Sequence, residues 1–189
     1  MKDPGLDEQE LIVRSRDGDT RAFEELVRLH QGIAMRVAYL VTRNPHDAED
    51  VTQDAFVKAY RSLKSFKLDA PFRPWLLAIV RNVALNRVRS RKRRDRLTVR
   101  TATDRASDDT APSPETAVIT RDQHDRLLAA IDQLPDRYRE IISHRYLLDL
   151  SERETSEILS IPAGTVKSRT ARALDRLRAN LDISRDELT

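Results

Sequence analysis

Apolar residues in this chain recur at steps of three and four, and no stretch alternates apolar with polar residues at the strand period of two. From Asp19 to Val41 the series runs Phe23, Leu26, Val27, Ile33, Ala34, Val37, Leu40 and Val41, with Glu24, Glu25, Arg28 and Arg36 on the other side. Gly is scarce, at 4 of 189 residues, which also argues against a strand-and-turn architecture. The expected fold is all-α, with small cores. A shorter helix, roughly Asp7 to Arg16, precedes the first series, burying Leu11 and Ile12 and stopping at Gly18.

Asn44-Pro45-His46-Asp47 opens the next helix. Asn44 can cap it, Pro45 suits the first helical position and Asp47 favours the positive N-terminal end. Ala48, Val51, Ala55, Ala59 and Leu63 give its buried stripe, and Asp47, Glu49, Asp50, Gln53 and Asp54 lie largely off it. Ser65 to Pro74 reads as a loop, because Pro71 and Pro74 forbid one continuous helix there. A helix restarts near Pro74. Trp75, Leu76, Ile79, Val80, Val83, Ala84 and Val88 form its apolar side, with Trp75 a core anchor. Asn82, Asn86, Arg89 and Arg93 form a polar, increasingly basic stripe.

Asp95 to Thr120 is dominated by Thr, Ser, Asp and Pro. Too few apolar residues are present to offset the ordering entropy, so this segment is expected to be a flexible linker. It divides the chain into two small helical domains, residues 1–95 and 121–189, joined by 96–120. The second reads as four short helices. The first of these, Arg121–Gln133, buries Leu127, Leu128 and Ile131, and Leu134-Pro135-Asp136 ends it. The next turns Tyr138, Ile141, Ile142 and Tyr146 inward. Ser151-Glu152-Arg153-Glu154 is a capping box opening a helix to Leu159, Ser160 to Gly164 is a turn, and Thr165 leads the last helix, with Val166, Ala173, Leu174, Leu177 and Leu181 on its core side.

The net charge of +3 is modest but unevenly spread. From Arg73 to Arg100 many Arg and Lys face a single acid, Asp95, which is the footprint of a phosphate-binding surface. The chain has no Cys, so disulfides, Cys-ligated zinc and thiol nucleophiles are excluded. No apolar run follows Met1-Lys2-Asp3-Pro4 and no window approaches the about 18 apolar residues of a membrane span, so a cytoplasmic protein without membrane insertion is expected. His30, His46, His124 and His144 lack ligand spacing, and there is no nucleophile–base pair or Gly-rich phosphate loop. The chain therefore reads as a non-enzyme with no cofactor and no metal.

A short capped helix, a tight turn and a longer basic helix match the helix-turn-helix plan. Lys167, Ser168, Ala171, Arg172 and Asp175 fall opposite Val166, Ala173 and Leu177. Lys167, Arg169 and Arg176 can hold phosphates, and Arg172 is placed to reach a guanine edge. On spacing alone, a plain helical hairpin with a solvated basic face fits equally well.

Four motifs in order decide between these. Asp47-Ala48-Glu49-Asp50-Val51-Thr52-Gln53-Asp54-Ala55-Phe56, Trp75-Leu76-Leu77-Ala78-Ile79-Val80-Arg81-Asn82, Leu134-Pro135, and Gly164-Thr165-Val166-Lys167-Ser168-Arg169 with Arg172-Ala173 resemble an extracytoplasmic-function (ECF) sigma factor. The resemblance covers both domains and nearly the whole chain. It implies a region 2-like bundle that binds the β′ clamp helices of core RNA polymerase and opens the promoter −10 element. It also implies a region 4-like domain that sits on the β flap and reads the −35 element. Matched residue by residue, Asp47, Glu49, Asp50, Gln53 and Phe56 would bind polymerase. Phe66, Lys67, Leu68 and Asp69 would form a loop that takes a flipped base, with Asn82 lining its pocket. Arg87, Arg89, Arg91 and Arg93 would hold the −10 backbone, and Thr165, Lys167, Ser168, Arg169, Ala171, Arg172 and Arg176 the −35 element. An anti-sigma factor is the further partner the resemblance implies. The chain departs from the pattern at Thr155-Ser156, where many relatives carry Ile-Ala, and at Ser160, where they carry Gly. A stand-alone helix-turn-helix regulator is the competing reading; it would need a dimerisation surface and leaves the first domain unexplained.

Overall fold

The structure is a computed structural model that describes residues 7–98, 126–127 and 129–181. Every regular element among the described residues is helical, as the sequence predicts. Contacts divide the chain into two compact units, residues 1–93 with 153–160 and residues 94–152 with 161–189.

In the first unit, α1 (Glu8–Arg16) buries Leu11 and Ile12 and carries Glu8 and Glu10 in its first turn, Arg14 and Arg16 in its last, each at the favourable end of the helix dipole. Gly18 follows at φ 98°, a left-handed turn that glycine takes without Cβ strain. Asp19 then joins two helices. One carboxylate oxygen accepts the backbone N–H groups of Arg21 and Ala22, capping α2 (Thr20–Thr42), and the other accepts from Arg14 Nε at 3.0 Å and Nη2 at 2.7 Å. These bonds, the Arg14 guanidinium first, hold the Asp19 carboxyl below its ordinary range.

Arg43 closes α2 in the left-handed region, at φ 54°, and Asn44 caps α3 (Pro45–Ser62) by accepting the Asp47 N–H at 2.9 Å, with Pro45 in the first turn. The predicted stripe Ala48, Val51, Ala55, Ala59 and Leu63 is buried to the last residue. Three of the five are alanines, which suits a close approach to α2, the most extensive helix pairing of the unit, and Leu26, Ala34, Val37 and Ala38 of α2 are likewise buried. A 3₁₀ turn, Leu63–Ser65, leads into the loop before α4 (Phe72–Thr98).

α4 starts two residues before the expected Pro74. Pro74 sits in the first turn, where a backbone N–H has no intrahelical acceptor, so its missing donor costs nothing there. Leu76, Leu77, Val80 and Ala84 are fully buried, and Trp75 is half-buried. The helix continues to Thr98, past the expected start of the linker, and residues 91–94 are exposed. The remainder of the expected linker, 99–120, lies outside the described residues.

In the second unit, residues 126–127 and 129–132 (α5) and Asp136–Ile142 (α6) meet α8 (Ala163–Leu181) around a core of Ile131, Leu134, Tyr138, Ile142 and Ala173, with Leu174 and Leu177 against it. Two expected core residues are not in it. Leu127 is exposed, and Leu128 lies outside the described residues. Tyr146 is 56% exposed, because α6 runs into a π-helical turn, Ser143–Leu147, closed by Leu148 N–H to Ser143 C=O at 3.0 Å. The extra residue in that turn shifts the register, so Leu148 and Leu150 point inward in its place.

α7 spans Glu152–Leu159, directly after Ser151, and buries Thr155, Ile158 and Leu159. Ser160 ends it at φ 53°. That backbone explains why glycine suits this position and leaves the serine strained by about 1 kcal/mol. α8 begins at Ala163, ahead of Thr165, because the Pro162 carbonyl accepts from the Thr165 and Val166 N–H groups at 2.8 and 3.1 Å.

Candidate nucleic-acid interface

The N-terminal half of α3 divides its acids between two tasks. Asp47 is half-buried and holds two arginines of α4: Arg87 Nε at 2.8 Å and Arg91 Nη1 at 3.5 Å. Asp50 takes the other side of the Arg87 guanidinium at 2.6 Å. The Asp47 hydrogen bond, opposed by burial and assisted by Asp50, raises the Arg87 pKa further above its ordinary value. Arg87 is thus a permanent cation whose charge is largely neutralised within the chain. Glu49, Asp50 and Gln53 face outward. Phe56 does not: it is buried, with the Phe23 ring edge-on at 6.4 Å, and so lies beneath the face rather than on it.

The loop between the 3₁₀ turn and α4 is fixed at both ends by aromatic packing. Phe66 and Phe72 are buried, their rings 5.7 Å apart and nearly perpendicular, and Trp75 lies 4.8 Å from Phe66 and 5.5 Å from Phe72. Between them Lys67 and Asp69 are exposed and Leu68 is half-buried, with the Ala70 N–H donating to the Lys67 carbonyl at 3.0 Å. Phe66 therefore anchors the loop, and Lys67 and Asp69 are the side chains it presents. On α4, Asn82, Arg89 and Arg93 are exposed on the predicted stripe, and Arg93 donates to Ser90 Oγ at 3.2 Å.

α8 presents Lys167, Ser168, Ala171, Arg172 and Arg176 to solvent, with Thr165 and Arg169 half-buried. Val166 and Ala173 are fully buried on the opposite side, so the helix separates a polar face from a core face as its spacing predicts. Arg176 is engaged: its guanidinium lies 5.1 Å from the centre of the Tyr138 ring, which Arg137 also approaches at 4.8 Å. Burial pushes the Tyr138 hydroxyl up, but Arg137, Arg176 and Arg172 together outweigh it and leave its pKa lowered.

The pairing of Asp47 with Arg87 and Arg91, and the approach of Arg176 to Tyr138, carry no signal in the linear sequence. Asp47 lies some 40 residues from its arginines, as Tyr138 does from Arg176, and no periodicity links them. Among the described residues no group of His, Cys, Asp or Glu is arranged to hold a metal ion, and no helix is long and apolar enough to cross a membrane.

A helical bundle with an acidic helix start and a basic helix end, followed by a polar-faced recognition-type helix, is the architecture of a sigma-type initiation factor. Residues 26–94 match Sigma-70 region 2 and residues 124–177 match Sigma-70, region 4. The chain is 34% identical over 176 residues to the ECF RNA polymerase sigma factor SigW of Bacillus subtilis (strain 168), covering 90% of this chain and 94% of that protein. It is 34% identical over 180 residues to the ECF RNA polymerase sigma-E factor of Escherichia coli (strain K12), covering 91% and 93%. Among solved structures, CnrH in complex with the cytosolic domain of CnrY superposes with a TM-score of 0.65 at 27% identity, covering 93% of this chain and 97% of that one. The chain belongs to the ECF RNA polymerase sigma factors. It is accordingly a transcription initiation factor and not an enzyme.

Proposed function

We propose that this sigma factor docks on the β′ clamp helices of core RNA polymerase through Glu49, Asp50 and Gln53, with Asp47 holding the neighbouring arginines and Phe56 supporting the face from beneath. The first domain, residues 1–95, opens the −10 element. Lys67, Leu68 and Asp69 take a base flipped from the non-template strand, Phe66 anchors their loop, and Asn82 pairs with the base edge. Arg89 and Arg93 hold the strand, with Arg87 and Arg91 beside them. Unstacking one base costs only a few kcal/mol, which a preformed loop can supply.

The second domain, residues 121–189, sits on the β flap and reads the −35 element. Arg172 reaches a base edge and Thr165, Lys167, Ser168, Ala171, Arg169 and Arg176 set the helix on the backbone. Residues 96–120 connect the two. The protein works in the cytoplasm. By likeness to CnrH, whose solved structure holds the cytosolic domain of a second protein, this chain is held inactive by an anti-sigma factor that covers the same faces.

The observation that supports this reading most is the division on α3 and α4. α3 turns Glu49, Asp50 and Gln53 to solvent, α4 exposes Arg89 and Arg93 near its basic end, and the two surfaces meet at the Asp50–Arg87 pair. That is what a subunit bridging a protein and a nucleic acid requires. Permanganate footprinting of thymines near −10, on promoters selected from a random pool with core polymerase and this protein, tests the melting step. Reactive thymines that vanish with Asp69→Ala and Asn82→Ala are expected. Unchanged reactivity in both variants would remove the base-capture role.

A further inference from the structure

α1 lies ahead of the Sigma-70 region 2 match, which begins at residue 26. Its first turn is nevertheless held firmly. His30 of α2 is buried, its Nε2 is 2.7 Å from Glu8 Oε1, and its ring lies 5.3 Å from that of Phe72 at the base of the loop. The Asp7 carboxylate accepts the Gln9 N–H at 3.4 Å, and Leu11 and Ile12 pack inward one turn on. α1 also packs against the 3₁₀ turn Leu63–Ser65 that leads into the loop.

From this turn Gln9 reaches across 59 positions of sequence and donates its Nε2–H to the Leu68 carbonyl at 2.6 Å. Leu68 is half-buried between the exposed Lys67 and Asp69, in a loop whose two ends are already anchored by Phe66 and Phe72. A bond there adds a third fixed point, at the Leu68 carbonyl, to the two aromatic anchors.

We infer that Gln9 is a positioning residue for −10 recognition: α1 tethers the Leu68 carbonyl, and so presets the direction of the Lys67 and Asp69 side chains before a base arrives. The inference rests on the base-capture reading of the loop given above. Preorganisation of this kind raises affinity by removing the ordering cost of the loop. The side chain's chemistry is specific. A donor is needed at position 9, and a carboxylate there would face the carbonyl oxygen and repel it.

The test uses the full chain with core RNA polymerase on a promoter pool. The pool is first selected with the unaltered protein and then randomised at −10 with the −35 element kept. Gln9→Ala and Gln9→Glu are expected to flatten the base preference at the captured position by about 3- to 10-fold, the effect of one lost hydrogen bond. Preference at −35 and affinity for core polymerase stay unchanged. Gln9→Lys, which retains a donor of sufficient reach, restores the preference. Asp69→Ala is run beside them. If Asp69→Ala flattens the preference and neither Gln9→Ala nor Gln9→Glu does, the tether is refuted and the loop reading survives. If Asp69→Ala also selects like the unaltered protein, the loop reading falls and the tether falls with it. Equal losses at −10, −35 and core binding in Gln9→Ala would mark a merely structural residue and likewise overturn the inference.

Discussion

The two basic helices of this chain differ in which of their cations the chain itself holds. At the end of α4, Arg87 and Arg91 are already held by the chain's own acids, Asp47 and Asp50. On α8, Lys167, Ser168 and Arg172 stand in solvent on a face that the core does not touch. Farther along the helix Arg176 is committed to the Tyr138 ring and Arg178 to Asp175. A cation that must let go of a carboxylate before it meets a phosphate gains less from DNA than one held only by water. The difference suits a division in which α8 supplies duplex affinity and α4 engages once polymerase has occupied the acidic face.

That contrast can be broken from either side. The largest effect is expected at Arg172. Arg172→Ala should weaken holoenzyme selection of the −35 element by about 1–3 kcal/mol and relax the base preference at one position. Competition between promoter variants measures this, and an unchanged preference would leave Arg172 on the backbone alone. Next comes the removal of the acids. Asp47→Asn with Asp50→Asn frees the α4 arginines, so the chain without polymerase should bind a 20-nucleotide oligothymidine more tightly. Its salt slope should be steeper by about 0.7 for each arginine released. A slope identical to that of the unaltered chain would show that the ion pairs do not restrain these cations.

Smaller effects test the frame around each helix. Ser160→Gly relieves the left-handed backbone just ahead of α8 and should stabilise the chain by about 0.5–1 kcal/mol in urea unfolding. Destabilisation would mean that the serine side chain contributes more than its strain costs. Smallest is the pH response at the α1–α2 joint. The Asp19 carboxyl titrates below its ordinary range in the folded chain, so its contribution is complete above that range and is lost as pH falls through the folded value. Asp19→Asn should therefore flatten the acid limb of the stability profile and leave the neutral region with a constant offset.

What the sequence made legible was whatever is written in local spacing. The α3 stripe from Ala48 to Leu63, the Asn44 cap, the Gly18 stop and the separation of Val166 and Ala173 from Lys167 and Arg172 all follow from one helix turn of sequence. What was not legible depends on choices that local spacing leaves open. Pro74 looked like a helix start because a proline suits that position, yet it is tolerated anywhere in the first turn, and α4 begins at Phe72. Tyr146 looked buried because an α-helical register was assumed through a π-helical turn. The acids of the α3 face read as one surface, although Asp47 is turned toward α4 and only tertiary structure brings Arg87 to it. Phe56 and Phe66 belong to motif runs in which Glu49, Asp50, Gln53, Lys67 and Asp69 face outward, and burial alone separates the two rings from those neighbours.

Promoter-dependent transcription with purified core RNA polymerase tests most directly whether this one chain bridges core polymerase and promoter DNA. Initiation that requires both components, that fails with Asp50→Arg and that falls with Arg172→Ala, is the predicted result. Failure of the chain to associate with polymerase, together with tight binding of the chain alone to duplex DNA, would contradict it.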